Sequence, residues 1–332
     1  MKKYLITGGR GYIGSVLARR LARSGADVVV VDNGLVGGPE PDLPGITHVD
    51  GDVRDTGSWE KALDGVDAVV HLAAIVGDPA CGVDTDTAWE VNYRGTIQVA
   101  EACRRADVRS LVFASTCSNY GVTGDTEVDA WSPLAPQSVY AESKVMAEHY
   151  LFSLPHDRLS SRLLRFATVH GLSPRMRFDL AVNVMTAHAV SGGAVTVYGG
   201  TQWRPFLHVE DAAAAVQLVL GDDRRTGSSV HNCGSREENH RMDAVGALIA
   251  EEVPGTSVEV RKEQTDPRNY RVNFDPIARE LGFRPSLRVV DTVRHIRDAM
   301  GRGEFTDFGA ARYSNHQIAL AQRAKHIPTR AL

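Results

Sequence analysis

The sequence predicts an α/β protein built on a doubly wound parallel sheet, with a smaller C-terminal substrate-binding lobe. Three observations carry that expectation. Short apolar runs, Tyr4-Leu5-Ile6, Val28-Val29-Val30-Val31, Ala68-Val69-Val70-His71-Leu72 and Ser110-Leu111-Val112-Phe113-Ala114-Ser115, alternate with segments whose apolar residues fall at helical spacing. The first run opens into Gly8-Gly9-Arg10-Gly11-Tyr12-Ile13-Gly14, so strand, glycine turn and helix follow one another. Polar residues gather just past the strand ends, where an open parallel sheet binds its ligands.

The bulk numbers allow this and exclude much else. A chain of 332 residues, 43% hydrophobic and 23% charged, can bury a substantial core as one large domain or two. A net charge of -4 gives no basic field for nucleic acid. No apolar run reaches the length of a membrane span, and Met1-Lys2-Lys3 leads straight into a strand, so no membrane partner and a cytoplasmic location are expected. Cys81, Cys103, Cys117 and Cys233 form no CxxC pair and the histidines no HxxxH or HExxH, so no metal is expected.

In chain order, the glycine turn comes first. Gly8, Gly11 and Gly14 leave the backbone bare, so a pyrophosphate can approach free N–H groups at the positive end of the following helix. Gly14 is expected to let that helix press on the sheet. Asp32, at the end of the second strand, is placed to accept both hydroxyls of an adenosine ribose, with Asn33 beside it. A turn-rich segment, 33–45, precedes a strand at Thr47-His48-Val49. Asp52 and Val53 follow at a strand end that would reach the adenine, although Asp52 also has the spacing of a helix cap. Leu72, Ala73 and Ala74 end the next strand with small residues that let a loop lie against a flat cofactor. Thr87 to Arg105 reads as one long helix, on which Asn92 either braces the cofactor strand or caps internally.

The fifth strand ends at Ser115-Thr116-Cys117-Ser118-Asn119, and Ser138 introduces a helix carrying Tyr140 and Lys144. These two lie four apart, on one helix face. An ammonium beside a phenol favours the phenolate, so Tyr140 can exchange a proton with a hydroxyl or ketone, and Thr116 can fix the same oxygen. A sixth strand ends at Thr168-Val169-His170. Beyond it come the basic run Pro174-Arg175-Met176-Arg177, a helix from Asp179 to Val190, and Arg204 to Asp211 leading into an Ala-rich helix. The division expected is 1–170 for the dinucleotide domain, with about 205–235 returning to it, and 171–332 mainly for the lobe.

Together the glycine turn, Asp32, Asp52, the small strand end, Thr116 and the Tyr140/Lys144 pair resemble the extended short-chain dehydrogenase/reductase family, in its nucleotide-sugar epimerase/dehydratase branch. The resemblance covers nearly the whole chain, through Arg204 to Asp211 and Asn269-Tyr270-Arg271-Val272. It implies a Rossmann-type sheet and a retained NAD that removes hydride from a sugar carbon. Tyr140 would be the base, Lys144 would tune it and hold the nicotinamide ribose, and Thr116 would orient the sugar. The cofactor set it implies adds Tyr12, Ile13, Asn92 and Ser115 to the residues above. NAD is expected over NADP because Asp32 repels a 2′-phosphate, with Arg10 the group that could reach one.

The partner implied is a nucleotide-diphosphate sugar. Arg204, Asn183 and Arg271 match the family's phosphate and helix positions, and Ser118, Asn119, Thr168 and His170 fall at the sugar end; His170 either faces substrate or fills the strand end. Family members that eliminate water resemble Thr-Asp-Glu where this chain has Thr116-Cys117-Ser118. The expected activity is therefore C4 epimerisation of a nucleotide hexose through a transient keto-sugar. A dehydratase or keto-sugar reductase using Cys117 as an extra acid/base is the alternative, against an inert buried thiol, and a non-catalytic NAD(P)-sensing protein is a remote one. A homodimer through the helices of Thr87–Arg105 and Tyr140–Tyr150 is usual in such families.

Overall fold

The computed structural model describes residues 1–36, 43–155, 159–222, 227–263 and 266–326. The middle of the turn-rich segment expected at 33–45, part of the returning segment near 205–235 and the end of the expected lobe lie outside the described residues. The strands are β1 (Lys3–Thr7), β2 (Asp27–Asp32), β3 (Ile46–Asp50), β4 (Ala68–His71), β5 (Ser110–Thr116), β6 (Val122–Val128) and β7 (Ser160–Phe166). They continue with β8 (Thr168–His170), β9 (Ala194–Tyr198), β10 (Trp203–His208), β11 (Ser229–Cys233), β12 (Asn239–Arg241), β13 (Ser257–Arg261) and β14 (Asn269–Val272).

Seven strands form one parallel sheet in the order β11-β7-β5-β4-β1-β2-β3. The order reverses at β1 and β4, so the crevice outside their carboxyl ends is the expected ligand position. Side chains alternate between two apolar layers, as strand geometry requires. Ile6, Val28, Val30, Val70 and Val112 face the helices α1 (Gly14–Arg23) and, later in the chain, Val209–Leu220. Leu5, Val29, Val31, Val69, Leu111 and Phe113 face the opposite layer, which holds Val99, Cys103, Ala147 and Leu151. Burial on both faces explains why these strands read as unbroken apolar runs.

The helices after α1 are α2 (Asp78–Val83), α3 (Thr85–Trp89), α4 (Gly95–Arg105), α5 (Val139–Ser153), α6 (Ala181–Gly192), α7 (Val209–Leu220), α8 (Met242–Glu252), α9 (Asp275–Leu281), α10 (Val289–Gly301) and α11 (Asn315–His326). Two expectations need correction. The helix expected over Thr87 to Arg105 is interrupted by a π turn at Glu90–Arg94, which carries Asn92 into the interior. The sixth strand is also broken: β7 stays in the large sheet, whereas β8 pairs with β10.

Away from the large sheet, α6, α8, α10, β9 and β13 enclose a separate core of Val182, Met185, Val195, Val197, Phe206, Ile249 and Val293. A fourth cluster ties the C-terminal segment down, with Phe178 edge-on to Phe305, Phe308 and Tyr313 at 5.2, 5.7 and 5.4 Å. It leads into α11, which the sequence reading did not anticipate and which packs on α2. Among the described residues no helix is long and apolar enough to cross a membrane.

Candidate active site

One cavity of about 580 Å³ runs along the carboxyl ends of the strands, from the glycine turn to Tyr140. Gly8 has φ +73° there, and a Cβ on it would lie 2.6 Å from the backbone nitrogen of Ala73. A Cβ on Gly14 would strike the turn itself, at Gly8 O and Gly9 Cα, so Gly14 seats the helix on the turn and not, as expected, on the sheet. Gly11 N donates to Gly8 O at 3.0 Å and closes the turn. Gly8→Ala is therefore expected to abolish dinucleotide binding in protein that still folds around its second core, because both the backbone conformation and the cavity wall oppose a methyl group. Equilibrium titration with NAD checks this; wild-type affinity would contradict it.

At the adenosine end, Asp32 accepts backbone N–H bonds from Arg10 (2.9 Å) and Gly34 (2.8 Å), which hold its carboxylate at the cavity wall. Arg10, the group that could have reached a 2′-phosphate, is paired with Asp50 at 2.9 Å. Asp52 accepts from Arg54 and from Asn33, and these hydrogen bonds outweigh partial burial to hold its carboxyl well below the usual range. Tyr12, Ile13, Asn33, Val53, Leu72, Ala73, Ala74 and Ser115 all line the cavity. Asn92 does not; its amide accepts from Ile75 N at 2.8 Å and donates to Ile75 O at 3.0 Å, bracing the loop after β4 from behind.

Tyr140 sits in the first turn of α5, whose N-cap Ser138 accepts from Ala141 N and donates to Asp78 at 2.6 Å. The buried Lys144, one turn on, donates to Ala114 O at 2.9 Å and stands 4.6 Å from the Phe113 ring centroid. Burial lowers the lysine to about 8. The expected depression of Tyr140 by Lys144 is not what this geometry produces. Burial, followed by the Cys81 thiol and the Asp78 carboxylate, raises the phenol, while Arg177 and a hydrogen bond from Thr116 pull more weakly the other way.

Thr116 and Ser118 both line the cavity, and their hydroxyls are 2.8 Å apart. Cys117, between them, points inward. It is fully buried, donates to Arg165 O at 3.2 Å and is raised by burial, which corrects its candidacy as acid or base and leaves the inert reading. Cys117→Ala is accordingly expected to leave turnover at the wild-type level, measured in a coupled assay, at a stability cost of about 1–2 kcal/mol for lost packing. Asn119 also turns inward, donating to Ser115 and Glu148.

At the substrate end Thr168 lines the cavity; the open question of His170 is decided, and the expectations for Asn183, Arg204 and Arg271 are corrected. His170 is buried against Thr292 (2.7 Å) and His208, so it fills the strand end. Asn183 spends its amide on Tyr12, Gly171 and Arg177. Arg204 pairs with Asp266 at 2.9 Å behind the Tyr270 ring, and Arg271 lies over Trp203. Five arginines line the cavity among the described residues: Arg54 beside Asp52, Arg323, which donates to Val83 O, Arg268, paired with Asp78 at 2.7 Å, and the buried Arg175 and Arg177. Arg268 could have been found from the alternation of β14, since it enters that strand on the same face as Tyr270. The cavity contribution of α11, through Asn315, Ile318 and Ala319, had no sequence signal.

A doubly wound sheet, a glycine turn and a Tyr-x-x-x-Lys pair in one cavity define a dinucleotide-dependent enzyme of the short-chain dehydrogenase/reductase type. Residues 4–234 match the model of the NAD dependent epimerase/dehydratase family, and the chain belongs to that family. It is 29% identical to a UDP-glucose 4-epimerase of Azospirillum brasilense, over 90% of this chain and 91% of that protein. It is also 29% identical to a dTDP-glucose 4,6-dehydratase of Streptomyces niveus, over 89% and 93%. Among solved structures, the Thermus thermophilus UDP-glucose 4-epimerase complex with NAD superposes with a TM-score of 0.78 at 28% identity, covering 90% of this chain and 99% of that one.

Proposed function

We propose that the chain is an NAD-dependent nucleotide-sugar epimerase acting at C4 of a hexose. The observation that carries this reading is the make-up of the cavity around Tyr140: Thr116 and Ser118 offer hydroxyls there, and no carboxylate follows Thr116. Gly8 lets the turn pack against the backbone of Leu72 and Ala73 on the cavity wall, and Asp32 and Lys144 line that cavity where they would hold the two riboses. NAD, when bound, supplies the hydride acceptor and returns the hydride. Tyr140 takes the hydroxyl proton as the sugar is oxidised and gives it back on reduction, while Thr116 and Ser118 fix that oxygen. Lys144, held by Ala114 O on the cavity wall, would offer its ammonium to the nicotinamide ribose. Arg268 provides a guanidinium for the sugar diphosphate.

Inversion needs only that the keto-sugar turn over before hydride returns, so no further acid is called for. A dehydratase is the second reading. Asp78, a carboxylate on the cavity near Tyr140, favours it, although Asp78 is tied to Arg268 and Ser138. Incubation with UDP-glucose and a panel of other nucleotide sugars in deuterated water separates the two. Epimer formation without deuterium on carbon and without net NADH change supports the epimerase. Deuterium at a sugar carbon, or a 4-keto-6-deoxy product, overturns it. We further propose a cytoplasmic homodimer joined through α4 and α5, whose surface exposes Met146.

A further inference from the structure

We propose that Arg175 is a diphosphate-binding residue of the cofactor site, buttressed by the C-terminal helix through Asn315, and that its ligand is the bridging diphosphate of the dinucleotide. The proposal rests on the reading of the cavity as a dinucleotide site. The loop that carries Arg175 is strapped onto the glycine turn. Tyr12 Oη donates to Gly171 O, Ser173 Oγ donates to Tyr12 O at 2.7 Å, and Ser173 also meets Ser15 Oγ at 3.2 Å. These bonds bring the loop to the first turn of α1, whose positive end already favours an anion.

The charge balance of the loop is uneven. Arg177 is held by Asp179 through two bonds, 2.8 and 3.0 Å long. Arg175 is just as buried, yet its bonds go to neutral acceptors: Val36 O at 2.6 Å, in the segment after Asp32, and Asn315 Oδ1 at 2.7 Å. Among the described residues no carboxylate comes within ion-pair distance of it. Buried cations are otherwise paired, so a guanidinium left open on a cavity wall calls for an anionic ligand. Burial and the neighbouring Arg177 lower Arg175 to about 10, which leaves it charged at neutral pH.

Asn315 fixes the direction of that charge. Besides accepting from Arg175, it donates through its amide to Val76 O at 3.2 Å and through its backbone to Asp179 at 2.8 Å. Its helix, α11, follows the segment held by the Phe178 cluster, packs on α2 and presents Ile318 and Ala319 to the same cavity. A diphosphate is also found in a nucleotide sugar, but Arg268, held by Asp78, lies toward Tyr270, whereas Arg175 binds Val36 O in the segment after Asp32 and its loop is tied through Ser173 to Tyr12 and Ser15 after the glycine turn.

Calorimetric titration with NAD and, separately, with UDP tests the assignment on full-length wild type, Arg175→Met and Asn315→Ala. Arg175→Met is expected to weaken NAD by about 10- to 100-fold, with UDP affinity unchanged. Asn315→Ala is expected to weaken NAD by a smaller factor with UDP affinity unchanged, and it carries the test alone if Arg175→Met does not accumulate. Wild-type NAD affinity in Arg175→Met, loss confined to the UDP arm, or wild-type NAD affinity in Asn315→Ala would each overturn the proposal. Failure of the wild type itself to bind NAD would overturn the cavity reading and this assignment with it.

Discussion

Tyr140→Phe is expected to lower kcat by about 10²- to 10⁴-fold, the usual worth of a positioned acid/base, while NAD affinity stays at the wild-type value. The substitution deletes one oxygen and leaves a ring that still fills its place on α5. The helix start does not depend on that oxygen, because Ser138 caps it and Asp78 anchors the cap. The dinucleotide is gripped at the other end, by the turn around Gly8 and by Asp32, so binding and turnover should separate cleanly. Burial raises the phenol in the protein alone, so the small fraction of Tyr140 present as the phenolate base grows with pH, and the wild-type rate is expected to climb through the neutral range. In Tyr140→Phe that climb should vanish together with most of the rate. Steady-state kinetics on both proteins across pH, with NAD titrations alongside, provide the check. Unchanged turnover in the variant would remove Tyr140 from the chemistry and favour a sensing protein.

What could be read from the sequence was what local rules decide. Glycine spacing before a helical period located the turn, and a four-residue interval placed Tyr140 and Lys144 on one face. Unbroken apolar runs gave away β1, β2, β4 and β5, because strands buried on both sides leave no polar alternation. Cys117 was undecided because β5 ends at Thr116 and a 3₁₀ turn, Cys117–Tyr120, sets the direction of its side chain, a turn that strand alternation does not reach. The misplacements have longer-range causes. Asn92 turned inward because a π turn shifted the helix face, and His170 was taken from the site when β8 left the large sheet to pair with β10. Arg204 and Arg271 matched family positions, whereas Arg268, two residues before Tyr270 and on the same face, reaches the cavity; the irregular register of β14 against β6 between Asn269 and Arg271 separates it from Arg271. The position of α11 follows from long-range contacts: Tyr313, just before it, packs edge-on to Phe178, more than a hundred residues earlier in the chain, and the helix itself lies on α2.

The largest stability effect is expected from Glu148→Gln, at about 3–5 kcal/mol, because it strands a buried guanidinium. Glu148 lies one turn beyond Lys144 on α5 and is 1% exposed; Arg165, at the end of β7, is 4% exposed. Arg165 donates to the carboxylate from Nε at 2.9 Å and from Nη2 at 2.6 Å, the paired geometry in which guanidinium and carboxylate bind best. The same carboxylate accepts from Ser115 and from Asn119 Nδ2 at 3.1 Å, and Arg165 continues to Tyr120 Oη at 2.9 Å and from there to Asn232 at 2.6 Å. One network therefore joins β5, the turn after it, α5, β7 and β11 directly beneath Thr116. An amide of the same size keeps the shape but removes the charge, and it must turn its own donors toward Arg165. If the loss is electrostatic, Glu148→Met combined with Arg165→Met should recover part of it, since two apolar side chains leave neither charge exposed to the other's absence. Denaturant midpoints of the two variants and the wild type decide the point. A loss below about 1 kcal/mol in Glu148→Gln would mean the pair behaves like a hydrated surface bridge. The predicted loss would instead explain how α5 keeps Tyr140 and Lys144 in register with the end of β5, through a buried charge eight residues away from the phenol and outside the cavity.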